Sequence, residues 1–153
     1  MTVAAYAALL DTAGGGFSLA AAAEALAISR QAMHTLISTG RALGLMHGDR
    51  IVVPRLQVRS RRDRSEILPG IDRIVRLFEE TKVGPWSALQ LLTDPDPNLG
   101  TPPIAALRDG RVAAVEHAAR AFLGTEADEP ASTARQGRPS DESLAGELLF
   151  VVS

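Results

Sequence analysis

The sequence SLAAAAEALAISRQAMHTLISTG, residues 18–40, predicts two short helices joined by a tight turn. Ser18 is a favoured N-cap for the Ala- and Leu-rich run that follows it, and Ser29 is the N-cap of a second helix expected over 31–39. Gly40 then ends the second helix, because glycine is common just beyond a helix C-terminus. Two short helices separated by about three residues form a helix-turn-helix.

The second of these helices has two different faces. Met33, Leu36 and Ile37 recur at the i, i+3, i+4 spacing that places apolar side chains on one buried stripe. The opposite face carries hydrogen-bonding groups, with Arg and Gln nearest the helix start, where helix-turn-helix proteins concentrate their contacts with base edges. The helix N-terminus also favours a phosphate. The residues predicted to contact DNA from this helix are Ser29, Arg30, Gln31, His34, Thr35 and Ser38.

The turn between the helices departs from the usual pattern. Ala27 stands where many helix-turn-helix proteins have a glycine in the left-handed conformation. An alanine held there costs roughly 1–2 kcal/mol. We therefore expect a turn that differs from the commonest geometry.

A β-hairpin is predicted after the second helix. Apolar residues at 43–46 and 51–53 flank the turn sequence HGDR at 47–50. Arg50, at the tip of this wing, is expected to reach a backbone phosphate. The stretch 17–54 resembles the excisionase-like and winged helix-turn-helix regulators. The alternative is a three-helix domain that packs only against protein.

Basic side chains are concentrated in the first half of the chain. Residues 1–64 hold eight basic and four acidic side chains, and the remainder holds eight basic and fourteen acidic ones, so that the formal net charge is −2. This asymmetry suggests two tasks, one of them at phosphates. The Arg-rich stretch 55–66 is expected to be an exposed linker, or a strand that becomes one. Arg61 within it is predicted to contact a DNA phosphate, with a solvated connector as the alternative.

The composition argues against several other classes of protein. The chain has no cysteine, which excludes a disulfide framework and a thiolate metal site. No apolar run reaches transmembrane length, and we expect a soluble protein of the cytoplasm. The three histidines lack metal-ligand spacing, and no nucleophile has a base nearby in sequence. We therefore predict no enzyme activity, no catalytic residues, no metal, no cofactor and no membrane partner.

The second half of the chain predicts four capped helices. Pro85 is at the first position of the second helix, where proline is favoured, and Thr101 is the expected N-cap of the third. The fourth helix is expected to turn Phe122 toward the core and to end at Gly124. The first helix has a clean apolar stripe made of Ile71, Ile74, Val75 and Phe78.

These helices also resemble a known family. Trp86, the loop PNLGTP at 97–102 and the segment ALRDG at 106–110 follow the order of the toxin-binding domain in the MbcA/ParS/Xre antitoxin family, although the loop is two residues shorter than usual. Members pair this domain with a helix-turn-helix and neutralise RES-domain toxins, which consume NAD. The resemblance covers residues 70–124. The toxin-contacting residues that it implies are Trp86, Asn98, Leu99, Thr101, Arg108 and, in the apolar end of the chain, Phe150.

The predicted fold class is all-α with a small β-hairpin wing, with an N-terminal helix-turn-helix domain and a small C-terminal helical bundle. The expected function is an antitoxin that binds a RES-type toxin directly and represses its own operon on operator DNA, as a homodimer or in a larger toxin–antitoxin assembly. The alternatives are a stand-alone transcriptional regulator whose second domain only dimerises, and a protein-interaction adaptor that does not bind DNA. The expected divisions are a winged or excisionase-like helix-turn-helix domain at 1–58, a basic linker at 59–69, a helical toxin-binding or dimerisation domain at 70–124, and a flexible tail with an apolar end at 125–153.

Overall fold

The computed structural model describes residues 2–124 and corrects the expected fold class. An all-α fold with one hairpin is wrong, because this part of the chain contains two small antiparallel sheets beside seven α-helices. One sheet has three strands and the other has two, so the fold is a mixture of helix and sheet. The helices are α1 (Val3–Thr12), α2 (Leu19–Leu26), α3 (Arg30–Ser38), α4 (Ile71–Glu80), α5 (Pro85–Thr93), α6 (Pro103–Arg108) and α7 (Val112–Leu123). The strands are β1 (Gly16–Ser18), β2 (Leu45–His47), β3 (Arg50–Pro54), β4 (Val58–Arg61) and β5 (Arg64–Ile67), and a 3₁₀ turn, Arg55–Gln57, joins β3 to β4.

The predicted helix-turn-helix is confirmed in α2 and α3. The Ser18 hydroxyl accepts a hydrogen bond from the Ala21 N–H at 3.1 Å. The Ser29 hydroxyl accepts one from the Ala32 N–H at 3.0 Å, so both predicted N-caps are present. Ala27 has φ 60° and ψ 42°. The turn therefore keeps the left-handed conformation despite its alanine, and the expectation of a different geometry was wrong.

A three-stranded sheet braces these two helices. The sequence did not predict β1, which pairs with β3 in an antiparallel sheet of order β1-β3-β2. Gly16 of β1 lies so close to β3 that a Cβ there would come within 2.3 Å of Val52 Cγ1. The predicted wing is confirmed as β2 and β3, with residues 48–49 in its turn. The sheet thus begins just before α2 and ends in the wing.

The Arg-rich stretch that we expected to be a basic linker over 59–69 is a second hairpin. β4 and β5 are antiparallel, with Val58 opposite Ile67 and Arg61 opposite Arg64. Val58 and Ile67 pack against the apolar side chains of the helix-turn-helix, and β5 lies against α2. The hairpin is therefore attached to the helix-turn-helix along its base.

The four helices predicted for the second half are confirmed, with two differences in detail. The apolar stripe of α4 is buried, but α6 has Pro102 as its N-cap instead of Thr101. Thr101 pairs with Asp96 in an isolated β-bridge across the preceding loop. Phe122, which we expected inside, is 47% exposed, and its ring centroid lies 5.8 Å from that of Phe78. The surface of α7 therefore carries an exposed aromatic side chain.

The buried side chains form two clusters, and the larger one crosses the predicted domain boundary. The smaller cluster lies between α2, α3 and the three-stranded sheet. The larger one fills the α4–α7 unit and also includes Ala13, Leu43, Leu45 and Leu56 from the first half of the chain. Gln57 has no exposed surface, and its side-chain amide donates to the Leu43 carbonyl at 2.7 Å and accepts from the Leu43 N–H at 2.8 Å. The larger core is thus built from both halves of the chain.

Candidate nucleic-acid interface

The outer face of α3 is open to solvent along its length. Met33 on the inner face is completely buried, and Leu36 and Ile37 are half-buried. This stripe packs α3 against α2 and the sheet, and so determines which face of the helix points outward. Each of the six residues predicted to contact DNA from this helix is exposed: Ser29, Arg30, Gln31, His34, Thr35 and Ser38.

The polar side chains of α3 differ in what they offer to a ligand. The hydroxyl of Thr35 donates to the Gln31 carbonyl at 3.0 Å, and that of Ser38 donates to the Thr35 carbonyl at 3.2 Å. These hydroxyl oxygens keep their capacity to accept. Arg30, Gln31 and His34 have longer side chains and supply nitrogen donors. The first turn of α3 is therefore the part of this face best suited to recognising base edges.

Arginines from α3 and from the wing line one groove. The groove has a volume of about 420 Å³ and takes in Arg30, Arg50, and Ser18 and Leu19 at the N-terminus of α2. The partial positive charge of a helix N-terminus adds to that of the two guanidinium groups. Asp49 is the acidic residue in the lining. The net positive character of this groove suits a phosphate group.

Arg41 is a candidate that the sequence analysis missed. It is exposed and follows α3 after a two-residue turn, and it lines a shallow groove with Ser29, Gln31 and Thr35. Its Nε donates to the Thr39 hydroxyl at 3.1 Å, which holds the side chain near the end of α3. The available signal was a basic residue directly after Gly40, the glycine that follows α3.

Arg61 lies on a different part of the surface. It is on β4, its side chain is 59% exposed, and its Nη1 lies 3.8 Å from Glu66 Oε2. It lines neither of the two grooves that border α3. The predicted phosphate contact of Arg61 is therefore separate from the contacts predicted for α3 and the wing.

Two of the residues implied by the antitoxin resemblance connect parts of this chain to one another. The Trp86 ring is stacked on that of Tyr6 with centroids 4.2 Å apart, and its Nε1 donates to the Met46 carbonyl at 3.1 Å. Arg108 Nη2 donates to the Leu56 carbonyl at 3.3 Å. Trp86 thus ties α1 and β2 to α5, and Arg108 ties α6 to the 3₁₀ turn.

The loop between α5 and α6 contains three more of these residues. The Asn98 N–H donates to Asp96 Oδ1 at 2.8 Å, and Thr101 bridges Asp96. Leu99 packs against the larger core. These contacts fix the loop on the helical unit. Phe150 lies outside the described residues.

Between residues 2 and 124, no group of three or more His, Cys, Asp or Glu side chains is placed to hold a metal ion. None of the helices there combines the length and the apolar character needed to cross a membrane. His47 has an aromatic neighbour, with its ring centroid 6.0 Å from that of Trp86.

The α3 surface and its two bordering grooves are thus the strongest candidate site in residues 2–124. This surface combines exposed hydrogen-bond donors on α3 with Arg50 of the wing and Arg41 of the segment after α3. Comparisons with protein-family models, with curated proteins and with solved structures each returned no match.

Proposed function

We propose that this protein is a cytoplasmic regulator that binds duplex DNA in a sequence-specific manner, with α3 in the major groove. One observation carries the proposal: the capped helix α3 exposes a continuous row of hydrogen-bonding side chains beside a wing that begins at Arg50. The major groove admits an α-helix, and each base pair there presents a distinct pattern of donors and acceptors.

Arg30 and Gln31 are the proposed base-reading residues. Both lie in the first turn of α3, where recognition helices usually meet base edges. Arginine pairs bidentately with guanine and glutamine with adenine, and each good pair contributes about 1–3 kcal/mol of discrimination. His34 and Thr35 lie one turn later on the same face, and they extend the row of contacts along the groove.

Arg50 and Arg41 are the proposed phosphate contacts. They line the two grooves that border α3, and neither needs to recognise a base. Contacts with phosphates fix the register of a protein on the duplex but carry no sequence information. We therefore expect their loss to weaken binding to all duplexes to a similar extent.

Dimerisation is part of the proposal. α3 has nine residues, and a recognition helix of that length meets few base pairs. Helix-turn-helix proteins therefore commonly bind two half-sites as dimers. Light scattering at micromolar concentration, with and without DNA, is expected to give at least a dimer, and a monomer under both conditions would contradict this part of the proposal.

The test begins by selecting a preferred sequence from a random duplex pool with the full-length protein. Arg30→Ala and Gln31→Ala are each expected to remove about 1–3 kcal/mol of the preference for that sequence over a scrambled duplex. Arg50→Ala should instead weaken both duplexes alike and reduce the salt dependence by about one phosphate contact. Arg111→Ala, an exposed position in the helical unit, is the matched control. Equal affinity of the unmodified protein for selected and scrambled duplexes would refute sequence recognition.

An antitoxin role is the second candidate, and one surface of the helical unit favours it. Phe122 is 47% exposed and lines a groove of about 360 Å³ with Leu91, Pro103 and Ala121. Exposed aromatic side chains in concave, partly apolar surfaces are typical anchors for protein partners. Together with the resemblance of residues 70–124, this groove supports binding of a RES-type toxin and repression of a shared operon.

The antitoxin role predicts that a neighbouring gene encodes a RES-domain toxin, and co-expression with that toxin tests the role. Ala121→Arg places a long charged side chain in the groove at an exposed position, and it is expected to abolish co-purification and to restore NAD consumption. Ala113→Arg is the matched control, because it makes the same change at another exposed position of α7. If Ala121→Arg retained full toxin inhibition, this groove would not be the toxin-binding surface.

A further inference from the structure

The tip of the β4–β5 hairpin concentrates positive charge in a small space. Arg61 lies directly opposite Arg64 in the strand register, and the two-residue turn between them is Arg62-Asp63. All four residues are exposed. Three guanidinium groups and one carboxylate are therefore confined to the end of a single hairpin.

This tip works against the stability of the hairpin in two respects. Like charges directly opposite each other on neighbouring strands are destabilising. Arg62 has φ 40°, a left-handed conformation that strains most residues other than glycine, asparagine and aspartate. Two-residue hairpin turns strongly favour Asn-Gly or Asp-Gly, and this turn contains neither. Positions that break a local rule without a gain in stability are expected to be functional.

The base of the hairpin has none of these conflicts. Val58 and Ile67 pack against the apolar cluster of the helix-turn-helix, and β5 lies against α2. Arg59 Nε and Glu66 Oε2 form an ion pair of 2.6 Å, with side chains that are 32% and 36% exposed. Glu66 Oε2 also lies 3.8 Å from Arg61 Nη1, so one carboxylate is shared by two arginines, and the excess positive charge lies at the tip.

We propose that the β4–β5 hairpin is a second wing whose tip binds the phosphate backbone of duplex DNA beside the site that α3 recognises; this inference rests on the proposed DNA-binding function. A row of phosphates relieves the repulsion between Arg61 and Arg64 and provides a partner for Arg62. The tip lies about 10 Å from the anchored base, since each strand residue rises by about 3.3 Å. The base of the hairpin is attached to α2, the helix that precedes α3, so we expect the tip to meet phosphates that flank the recognised site, which favours duplex DNA over RNA or a membrane as its anion.

The contact is directed to phosphates and not to bases. The tip has no aromatic side chain to stack on a base and no amide to pair with adenine. Its arginines could pair with guanine, and a change in sequence preference on their removal would reveal that role. Arginines at an exposed turn act mainly as positive charges, and their effect follows the release of counterions from the duplex. The contribution of the tip to DNA affinity is therefore expected to be independent of base sequence and sensitive to salt concentration.

The first experiment compares two duplexes that share the selected sequence, one minimal and one extended by about one helical turn on each side. The unmodified protein is expected to bind the extended duplex more tightly. The double substitution Arg62→Gly with Arg64→Ala should remove this gain. Each lost phosphate contact is expected to lower the affinity roughly eightfold near 0.1 M salt. It is also expected to reduce the slope of log affinity against log salt concentration by about one. The double variant's preference for selected over scrambled sequence should not change. Arg111→Ala is the control for a lost positive charge elsewhere.

The single substitution Arg62→Gly separates binding from folding. Glycine adopts φ 40° without strain, so the midpoint of thermal unfolding is expected to rise while affinity for the extended duplex falls. A turn with only a structural role would not show these opposite changes. A rise in the midpoint with unchanged affinity would therefore contradict the proposal.

The remaining outcomes distinguish failure of the second wing from failure of the proposed function. If the double variant binds the extended duplex as tightly as the unmodified protein and with the same salt slope, the hairpin does not contact DNA even though α3 does. If the unmodified protein prefers no sequence but the double variant still loses affinity for random duplex, sequence recognition is refuted and the second wing is supported. If the unmodified protein binds no duplex at all, both proposals are overturned.

Discussion

Replacing Gln57 with leucine tests a buried polar contact that holds the segment after α3 against the 3₁₀ turn. Gln57 and Leu43 are 0% and 2% exposed, and the two hydrogen bonds between them measure 2.7 and 2.8 Å. Leucine has a similar size but no polar atoms, so the substitution leaves the Leu43 N–H and carbonyl buried without a partner. Each unsatisfied buried group costs about 1–3 kcal/mol, which gives a loss of about 2–6 kcal/mol for the pair. Small domains have a total stability of about 5–15 kcal/mol, so the expected loss is a large share of it.

The assay is chemical denaturation followed by far-UV circular dichroism and by tryptophan fluorescence. Trp86 is the single tryptophan of the chain, and its contacts with Tyr6 and Met46 make its emission sensitive to the packing of α1 and β2 on α5. The denaturation midpoint is expected to fall, with an unchanged slope, because unfolding still exposes the same surface. Gln57→Glu should be more stable at pH 5 than at pH 8, since only the protonated acid can donate to the Leu43 carbonyl.

Gln90→Leu is the matched control for this substitution. Gln90 is half-buried on α5, and the same chemical change there is expected to alter stability by less than about 1 kcal/mol. If Gln57→Leu cost no more than Gln90→Leu, the reasoning would be refuted, because the Leu43 groups would then have found water or another partner.

Three further substitutions test individual features of the fold by denaturant titration. Ala27→Gly relieves a left-handed alanine and should stabilise the protein by about 0.5–1 kcal/mol without altering DNA affinity; a loss of stability would contradict this. Trp86→Phe keeps a ring against Tyr6 but loses the hydrogen bond from Nε1, and should cost about 0.5–1.5 kcal/mol; no loss would mean that water replaces the bond. Gly70→Ala should lower the free energy of unfolding by more than about 1 kcal/mol, because φ is 99° and the new Cβ would lie 2.8 Å from Leu107 Cδ2. An unchanged denaturation midpoint would show that Leu107 moves aside.

The parts of the fold that could be predicted from the sequence are those set by local signals. Ser18 and Ser29 cap α2 and α3, and Pro85 begins α5. The i, i+3, i+4 stripe of α4 is buried because its period matches the helix. The outward face of α3 followed from the same argument, since burial of Met33 leaves the polar side chains on the other side.

The parts that were missed depend on contacts between distant residues. β1 has three residues and is paired with β3, with Phe17 opposite Val53. No periodicity within three residues can reveal such a pairing. The β4–β5 hairpin has no glycine or asparagine in its turn, so the usual hairpin signal was absent, and its many arginines without sustained apolar periodicity suggested an exposed linker. Gln57 sits in the same stretch, and nothing local distinguishes a buried glutamine from an exposed one. The strand pairing and the buried polar contacts could therefore be identified only from the tertiary structure.

The position of α3 relative to the helical unit is held by residues that follow α3 and join the larger core. The segment after α3 contributes Leu43 and Leu45 to the larger core, and Gly40 is so close to α4 that an added Cβ would lie 3.0 Å from Glu79 Oε1. Movement of α3 and the segment after it relative to α4 would expose both leucines. Burial of each leucine contributes about 1.5–3 kcal/mol, so this movement costs several kcal/mol. A partner that binds the helical unit can therefore reorient α3 on DNA only if it binds the rearranged protein more tightly than the original one. The difference in binding free energy must be several kcal/mol.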